Sequence, residues 1–435
     1  MHILYIQPGS GGGFYCQNCL RDISVCDALR QAGHEITILP LYLPATADAA
    51  APDDTPVFYS AVTLYLRHKY QWIRRLPRSW FKPLDSWPVL KLAAKFAGTT
   101  SAAGLEDLTL SMLRGMEGTQ AEELSLLAEW IEALPADARP DVIVLSNALL
   151  MGLAKRLKQT TEAPIFCWLQ DEHVWTDAMH ASLQQAVMQA MRDDAQHVDR
   201  FIAVSQYYRG IMSKQLGVDP SAIDVIYPGV NPAAYIQSTQ AAGAPQKIGF
   251  LSRLSADEGF DTFVDAFIEL RADPQFCNVK LAATGGASPD KKFLSRQRRK
   301  LQQAGLENDA EISCDRFAHD RFGFLSELIL LCVPGASTPE AFGYYAVEAL
   351  AAGVPVVLPK QGAFPEFVNF EQGGVLLDAI DAKAIAGTWA ALLTSPAKLQ
   401  ALAANARVAA NTTFNERLLV EKLLRKLKVT RHPSL

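Results

Sequence analysis

Apolar positions recur along this chain in two rhythms. Short runs of apolar residues alternate with longer stretches in which apolar side chains return every three or four positions. Residues 2–7 read as a strand, 8–13 as a glycine-rich turn, and 18–32 as a helix with Leu20, Ile23, Cys26, Ala28 and Leu29 on one face. Gly33-His34 closes that helix, and 35–41 returns as a second strand. Further strands are predicted at 141–146, 164–169 and 200–204, with helices at 147–157 and 207–216. Strand and helix in regular succession predict a doubly wound parallel sheet.

The same rhythm restarts after 237–246, a run of Ala, Ser, Thr, Gly and Gln that reads as a linker. From 247 onward strands are predicted at 278–283, 311–314, 329–333 and 354–358, and helices at 259–270, 379–393 and 396–411; an amphipathic, basic helix follows at 415–427. The 435 residues exceed one ordinary core, so two domains are expected. The division is 1–236, with an insertion at about 56–130 that breaks the βα rhythm, then the linker 237–246, then 247–412, with 413–435 as a terminal helix. There is no internal sequence repeat.

Composition narrows the class. With 49% hydrophobic and 20% charged residues, the chain reads as a soluble globular protein, and a net charge of −5 argues against a nucleic-acid partner. No apolar run approaches the roughly 20 residues that span a bilayer, and the first residues do not read as a signal peptide, so the expected compartment is the cytoplasm. Seven scattered cysteines do not form a disulfide framework; Cys16 and Cys19 have redox or zinc spacing but no second ligand pair nearby, and structural cysteines are the stronger reading.

The chemistry concentrates in residues 337–356. There an apolar run feeds a loop carrying Glu340, and a helix opens near Phe342 and stops at Gly353, with Glu348 on its early turns. Free amides at Phe342, Gly343 and Tyr344 form an anion site at the helix start. Two carboxylates flanking such a site suit a sugar, a diphosphate and a ribose in line. A βα unit with solvated glutamates is the plainer alternative.

The whole string E-x-F-G-x4-E-A-x-A-x-G-x-P-V resembles glycosyltransferase family 4, retaining transferases of the GT-B fold, and is similar to bacterial group 1 glycosyltransferases. The resemblance implies two Rossmann-like doubly wound domains facing across a cleft. It implies donor-sugar contact by Glu340, diphosphate contact by the amides of Phe342, Gly343 and Tyr344, and ribose contact by Glu348. Residues 247–260 resemble the segment G-R-L-x3-K-G, whose basic residues neutralise the diphosphate. Here Arg253 is kept, but Ser252 stands at the first glycine and Glu258 at the lysine. Two like charges about 4 Å apart repel by about 4 kcal/mol at an effective dielectric of about 20. Either Glu258 points away and Lys291, Lys292 or Arg316 substitutes, or the donor site is altered. The pair Gly285-Gly286 ends a strand and permits close backbone approach, which makes Gly285 a donor-side candidate.

In the first half, the glycine loop with Gly11, Gly12 and Gly13 is a candidate for the cleft and acceptor side. The family often has a histidine at the end of the strand 164–169; here that place is Gln170, with Asp171, Glu172 and His173 following. The role stays open among these four, with helix capping as the alternative for Asp171. Residues 65–96 mix basic side chains with Tyr65, Tyr70, Trp72, Trp80, Phe81 and Trp87. That composition suits a peripheral contact with the inner face of a membrane or an anionic acceptor; a helical insertion with its charges in water has a modest edge.

The resemblance implies metal-independent transfer of a sugar from a nucleotide-diphosphate sugar, with retention, to a sugar, lipid-linked or small-molecule acceptor, and without a cofactor. Glu340, Arg253, Gln170 and His173 are the catalytic candidates. Two alternatives stand beside it: a degenerate, non-catalytic sugar-nucleotide or membrane-associated binding protein, and a sugar-nucleotide epimerase on the same fold.

Overall fold

The computed structural model describes residues 1–9, 14–42, 106–238, 246–288, 290, 292–335 and 338–431. Gly11 to Gly13, the basic and aromatic stretch 65–96, and Lys291 lie outside the described residues. The chain divides into two compact units. The first comprises Met1–Gly13, Asn18–Tyr227 and the chain from Val420 onward; the second comprises Phe14–Gln17 and Pro228–Leu419.

The sheet of the first unit contains β1 (His2–Gln7), β2 (Glu35–Pro40), β3 (Val142–Leu145), β4 (Ile165–Leu169), β5 (Arg200–Ala203) and β6 (Ile223–Val225). Their order is β2-β1-β3-β4-β5-β6, with every pairing parallel. β3 reads VIVL and β4 reads IFCWL, and every residue of both is buried. Such unbroken apolar runs belong to strands covered on both faces, which is how parallel sheets sit in α/β proteins.

The second sheet contains β7 (Gln246–Leu251), β8 (Val279–Thr284), β9 (Ala310–Ile312), β10 (Leu328–Cys332), β11 (Val356–Pro359) and β12 (Gly374–Leu377). The order is β12-β11-β10-β7-β8-β9, again parallel throughout. In each sheet the winding reverses at one place, between β1 and β3 and between β7 and β10. Crevices at the carboxyl ends of strands beside such a reversal are where doubly wound sheets take ligands.

Most predicted elements fall within a few residues of the observed ones, but the helices Ala181–Ala195, Phe293–Gln303 and Arg316–Ser326 were not predicted, and three further departures have local causes. The helix expected at 147–157 is a 3₁₀ stretch, Ala148–Leu153, that passes into an α-helix, Ala154–Thr160. Asn147 tightens its start by accepting from Leu149 N, and Gly152 lies so close to the backbone that a Cβ there would sit 2.0 Å from Met112 O. β12 was not predicted; it begins directly after Gly373, whose φ of +82° turns the chain into the sheet edge. The contact division falls at Tyr227 and Pro228, upstream of the polar linker, because Val230 pairs with Asn415 and Gln237 donates to Ala351 O at 3.0 Å. The terminal helix Glu416–Arg431 groups with the first unit from Val420 onward, where Lys426 pairs with Asp224 at 2.7 Å.

Candidate functional site

The second unit gathers its chemistry at the winding reversal. β7 leads into Ser252 and Arg253, and β10 leads into the loop that carries Glu340. Ser252 N donates to Thr284 O at 3.2 Å and Leu254 N to Gly286 O at 2.9 Å, so the backbone on either side of Arg253 is tied to the end of β8. Gly285 (φ +138°) makes this fit possible, since a Cβ there would meet Ser252 O at 2.1 Å. Arg253 is half-buried and its guanidinium lies 4.1 Å from the centre of the Phe14 ring. Burial pulls its pKa down, partly offset by the charges of Glu258, Cys16 and Asp257. Among the described residues it forms no ion pair.

Glu258 is held by its own carbonyl, which accepts from Gly335 N at 3.3 Å, and its carboxylate is felt by Arg253 and by Tyr345. Its negative charge partly offsets the effect of burial on Arg253. The substitute cations proposed from sequence fare differently. Arg316 is committed to Glu327 at 2.5 Å and Asp320 at 3.1 Å, and Lys292 is exposed at the start of the helix Phe293–Gln303.

The loop after β10 is shaped from beneath. The turn at Gly362 passes so close that a Cβ would lie 2.5 Å from Glu340 O, and Ala363 N donates to that same carbonyl at 3.0 Å. Gly343 (φ +84°) then starts the helix Tyr344–Ala351; a side chain at Gly343 would strike the Phe364 ring at 2.5 Å. Phe342 is fully buried against Phe367 and Phe414 and anchors the helix start. Glu340 stays half-buried, with Tyr345 donating to its Oε1 at 3.3 Å.

Glu348 is fully buried and its two oxygens are already engaged. Oε1 accepts from Arg321 Nε at 2.7 Å and Tyr235 Oη at 2.7 Å, and Oε2 accepts from Tyr15 Oη. Burial, then the Glu348 charge, pushes both tyrosine pKa values well up. Burial works against the Arg321 charge but is outweighed by Glu348 and the surrounding tyrosines, so its pKa is raised. A ribose would reach Glu348 only by displacing one of these donors.

Phe14–Gln17, which groups with this unit, contacts Arg253, Glu340 and Glu348. Phe14 lies over Arg253, Tyr15 reaches Glu348, and Tyr15 N donates to Gly285 O at 2.9 Å. Gln17 Nε2 donates to Glu340 Oε2 at 3.1 Å, while Gln17 Oε1 accepts from Tyr344 N at 2.5 Å. Sequence reading missed Tyr15, Gln17, Tyr235 and Arg321. No local signal marks them, since their partners lie from 27 to 333 positions away.

In the first unit, β4 delivers Gln170 to its carboxyl end, where it is 1% exposed. Its Oε1 accepts from Arg21 Nη1 at 2.8 Å; among the described residues its buried Nε2 has no hydrogen-bond partner. Arg21, itself fully buried, is fixed by Asp22 at 2.6 Å and by Ser146 O at 2.7 Å, and Tyr5 Oη donates to Asp22 at 2.6 Å. Asp171 has a left-handed backbone (φ 63°), and it precedes the helix Glu172–Asp177 without a side-chain cap. The capping alternative for Asp171 is therefore not what this turn uses. Glu172 accepts from Ala148 N at 2.9 Å and Tyr208 Oη at 2.7 Å, and burial raises its pKa. His173 is buried with its ring 5.1 Å from that of Tyr208, so it packs into the same knot. Within the quartet, Gln170 Nε2 is a buried polar atom without a hydrogen-bond partner among the described residues. All seven cysteines are free thiols.

Residues 24–229 match the family described as glycosyl transferase 4-like domain, and residues 233–409 match glycosyl transferases group 1. The D-inositol 3-phosphate glycosyltransferase of Segniliparus rotundus is 28% identical over 215 residues, covering 47% of this chain and 46% of that protein. The chain thus spans about half the length of this relative. Among solved structures, Anabaena HepE in complex with UDP superposes with a TM-score of 0.67 at 16% identity, covering 98% of this chain and 100% of that one. Sucrose-phosphate synthase from Thermosynechococcus elongatus gives 0.66 at 18% identity, covering all of both chains. At these identities the structures speak for the fold, which is GT-B. The two family matches, the repeated doubly wound sheet and the Glu340 to Glu348 segment place this chain among the group 1 glycosyltransferases.

Proposed function

We propose that this chain transfers a sugar from a nucleotide-diphosphate sugar to a sugar, lipid-linked or small-molecule acceptor, with retention of anomeric configuration and without a metal ion. The observation that carries the reading is that one short segment, Phe14–Gln17, contacts Arg253 after β7 and both the helix-start amide of Tyr344 and the Glu340 carboxylate after β10. Arg253 and the helix-start amides supply positive potential for a leaving diphosphate, which gains charge as the glycosidic bond to its oxygen breaks. Glu340 accepts from sugar hydroxyls and stabilises the cationic character that develops on the sugar ring. The departing phosphate oxygen takes the acceptor's proton on the same face, which gives retention. In the first unit, the unused Nε2 of Gln170 is the group suited to an oxygen of the substrate.

Neighbouring structures were solved with UDP and UDP-glucose, which supports a nucleotide-sugar as the first substrate class to try here. Thermal unfolding measured against UDP, GDP, ADP and TDP, alone and as sugar conjugates, tests the reading. A ligand at about 100 times its dissociation constant stabilises by about 2.7 kcal/mol, so one base series should move the transition. No movement with any of them sinks the donor assignment.

A second reading is a binding protein that does not turn its ligand over. It is favoured by the full engagement of Glu348 and by the glutamate, Glu258, that stands where the family segment has a lysine. Release of free nucleoside diphosphate from a bound sugar conjugate decides between the two.

A further inference from the structure

The contacts of Gln17 have a chemistry of their own. Its carboxamide presents an oxygen to Tyr344 N, the first amide of a helix, at 2.5 Å, and an N–H to the Glu340 carboxylate at 3.1 Å. A helix-start amide takes a phosphate oxygen, and a carboxylate takes a sugar hydroxyl. One neutral side chain thus gives each group the kind of partner that a sugar diphosphate would bring. Gln17 is half-buried and belongs to a segment whose neighbours Phe14 and Tyr15 engage Arg253 and Glu348. Without such a stand-in, the Glu340 carboxylate and the Tyr344 amide would each lose a hydrogen-bond partner, which is costly wherever water is scarce.

We propose that Gln17 is a placeholder residue of the donor site: it occupies the phosphate and sugar-hydroxyl positions in the empty protein and yields them when the donor binds. The inference rests on the nucleotide-sugar reading above. It makes Gln17 a determinant of donor affinity with an unusual sign, because its hydrogen bonds compete with the ligand instead of adding to it. Binding a diphosphate breaks the contact to Tyr344, and binding the attached sugar breaks the contact to Glu340.

The test compares the full chain with Gln17→Ala and with Gln17→Met, which keeps side-chain length without polar atoms. Two readouts are used. The first is hydrogen exchange of the peptide containing Tyr344 in the absence of ligand: both variants should exchange faster than the parent there, with unchanged circular dichroism. The second is calorimetric titration with UDP. Removing one competing hydrogen bond should tighten UDP about five- to tenfold in both variants. Parent binding that is unchanged or weakened in the variants overturns the placeholder role, as does exchange at Tyr344 that does not respond. If neither the parent nor the variants bind UDP, GDP, ADP or TDP, the donor reading itself has failed and the inference falls with it.

Discussion

Replacing Arg321 by methionine should be among the most damaging single changes available in the second unit. The Glu348 side chain is 0% exposed and that of Arg321 is 21% exposed, and they meet at 2.7 Å. Methionine keeps the apolar stem of the arginine but leaves the carboxylate with only the hydroxyls of Tyr15 and Tyr235. At an effective dielectric of about 20, charges about 4 Å apart attract by about 4 kcal/mol. Removing one partner of a buried pair typically costs about 3–5 kcal/mol, and the partial exposure of Arg321 sets the expectation at the lower end, about 3 kcal/mol. For a unit of this size that loss lowers the melting temperature by roughly 6–12 °C. Urea unfolding followed by circular dichroism gives the free energy directly. The double variant Arg321→Met with Glu348→Met is the control, because it removes the stranded charge; it should be more stable than Arg321→Met alone. A loss under about 1 kcal/mol in the single variant, or a double variant that costs the sum of both singles, refutes the argument that Arg321 serves to neutralise Glu348.

Other perturbations read other parts of the fold. Asp194 is a partly buried carboxyl with its Oδ2 unpartnered, and its pKa is raised to about 7 by burial first and by Asp193 second. Because the folded pKa exceeds the ordinary value of 3.8, this group favours folding below that value, and its contribution is lost as pH rises towards about 7. Asp194→Asn should therefore stabilise at pH 8 relative to the parent and lose that advantage at pH 4, as measured by paired urea titrations; an equal difference at both pH values argues against it. Gly343→Ala places a methyl 2.5 Å from Phe364 on backbone with φ +84°, and a drop of about 2–3 kcal/mol is expected. Gln170→Met, similar in length but without the carboxamide, leaves Arg21 Nη1 with only Asn18 Oδ1, at 3.4 Å, among the described residues and also removes the Nε2 group. It should cost about 1–2 kcal/mol of stability, whereas Gln170→Glu should keep the fold through its contact with Arg21 and lose donor or acceptor affinity; unchanged affinity removes Gln170 from the site.

Much of the architecture was legible along the chain because its causes are local. Short, fully apolar runs such as VIVL and IFCWL, set between turn and helix signals, read as strands covered on both faces, and Gly33, Gly217 and Gly353 each have positive φ near a helix end as their positions predicted. The Glu340 to Glu348 segment was legible for the same reason, since loop, glycine and helix start lie within nine consecutive residues.

What the chain could not reveal are the partners that only the tertiary fold supplies. Tyr15 is 333 positions from Glu348, and Gln17 is 323 from Glu340; neither pairing leaves any periodicity or spacing to detect. Arg21 and Asp22 lie on the expected helix, yet only burial beside Gln170 and Ser146 turns them from surface charges into an internal network. The sequence by itself determined two doubly wound domains and where their ligand-facing loops begin, because apolar periodicity and glycine are short-range signals. Only the tertiary structure decided which carboxylate stays half-buried and which is neutralised inside, because burial and charge pairing depend on what distant segments bring to the same place.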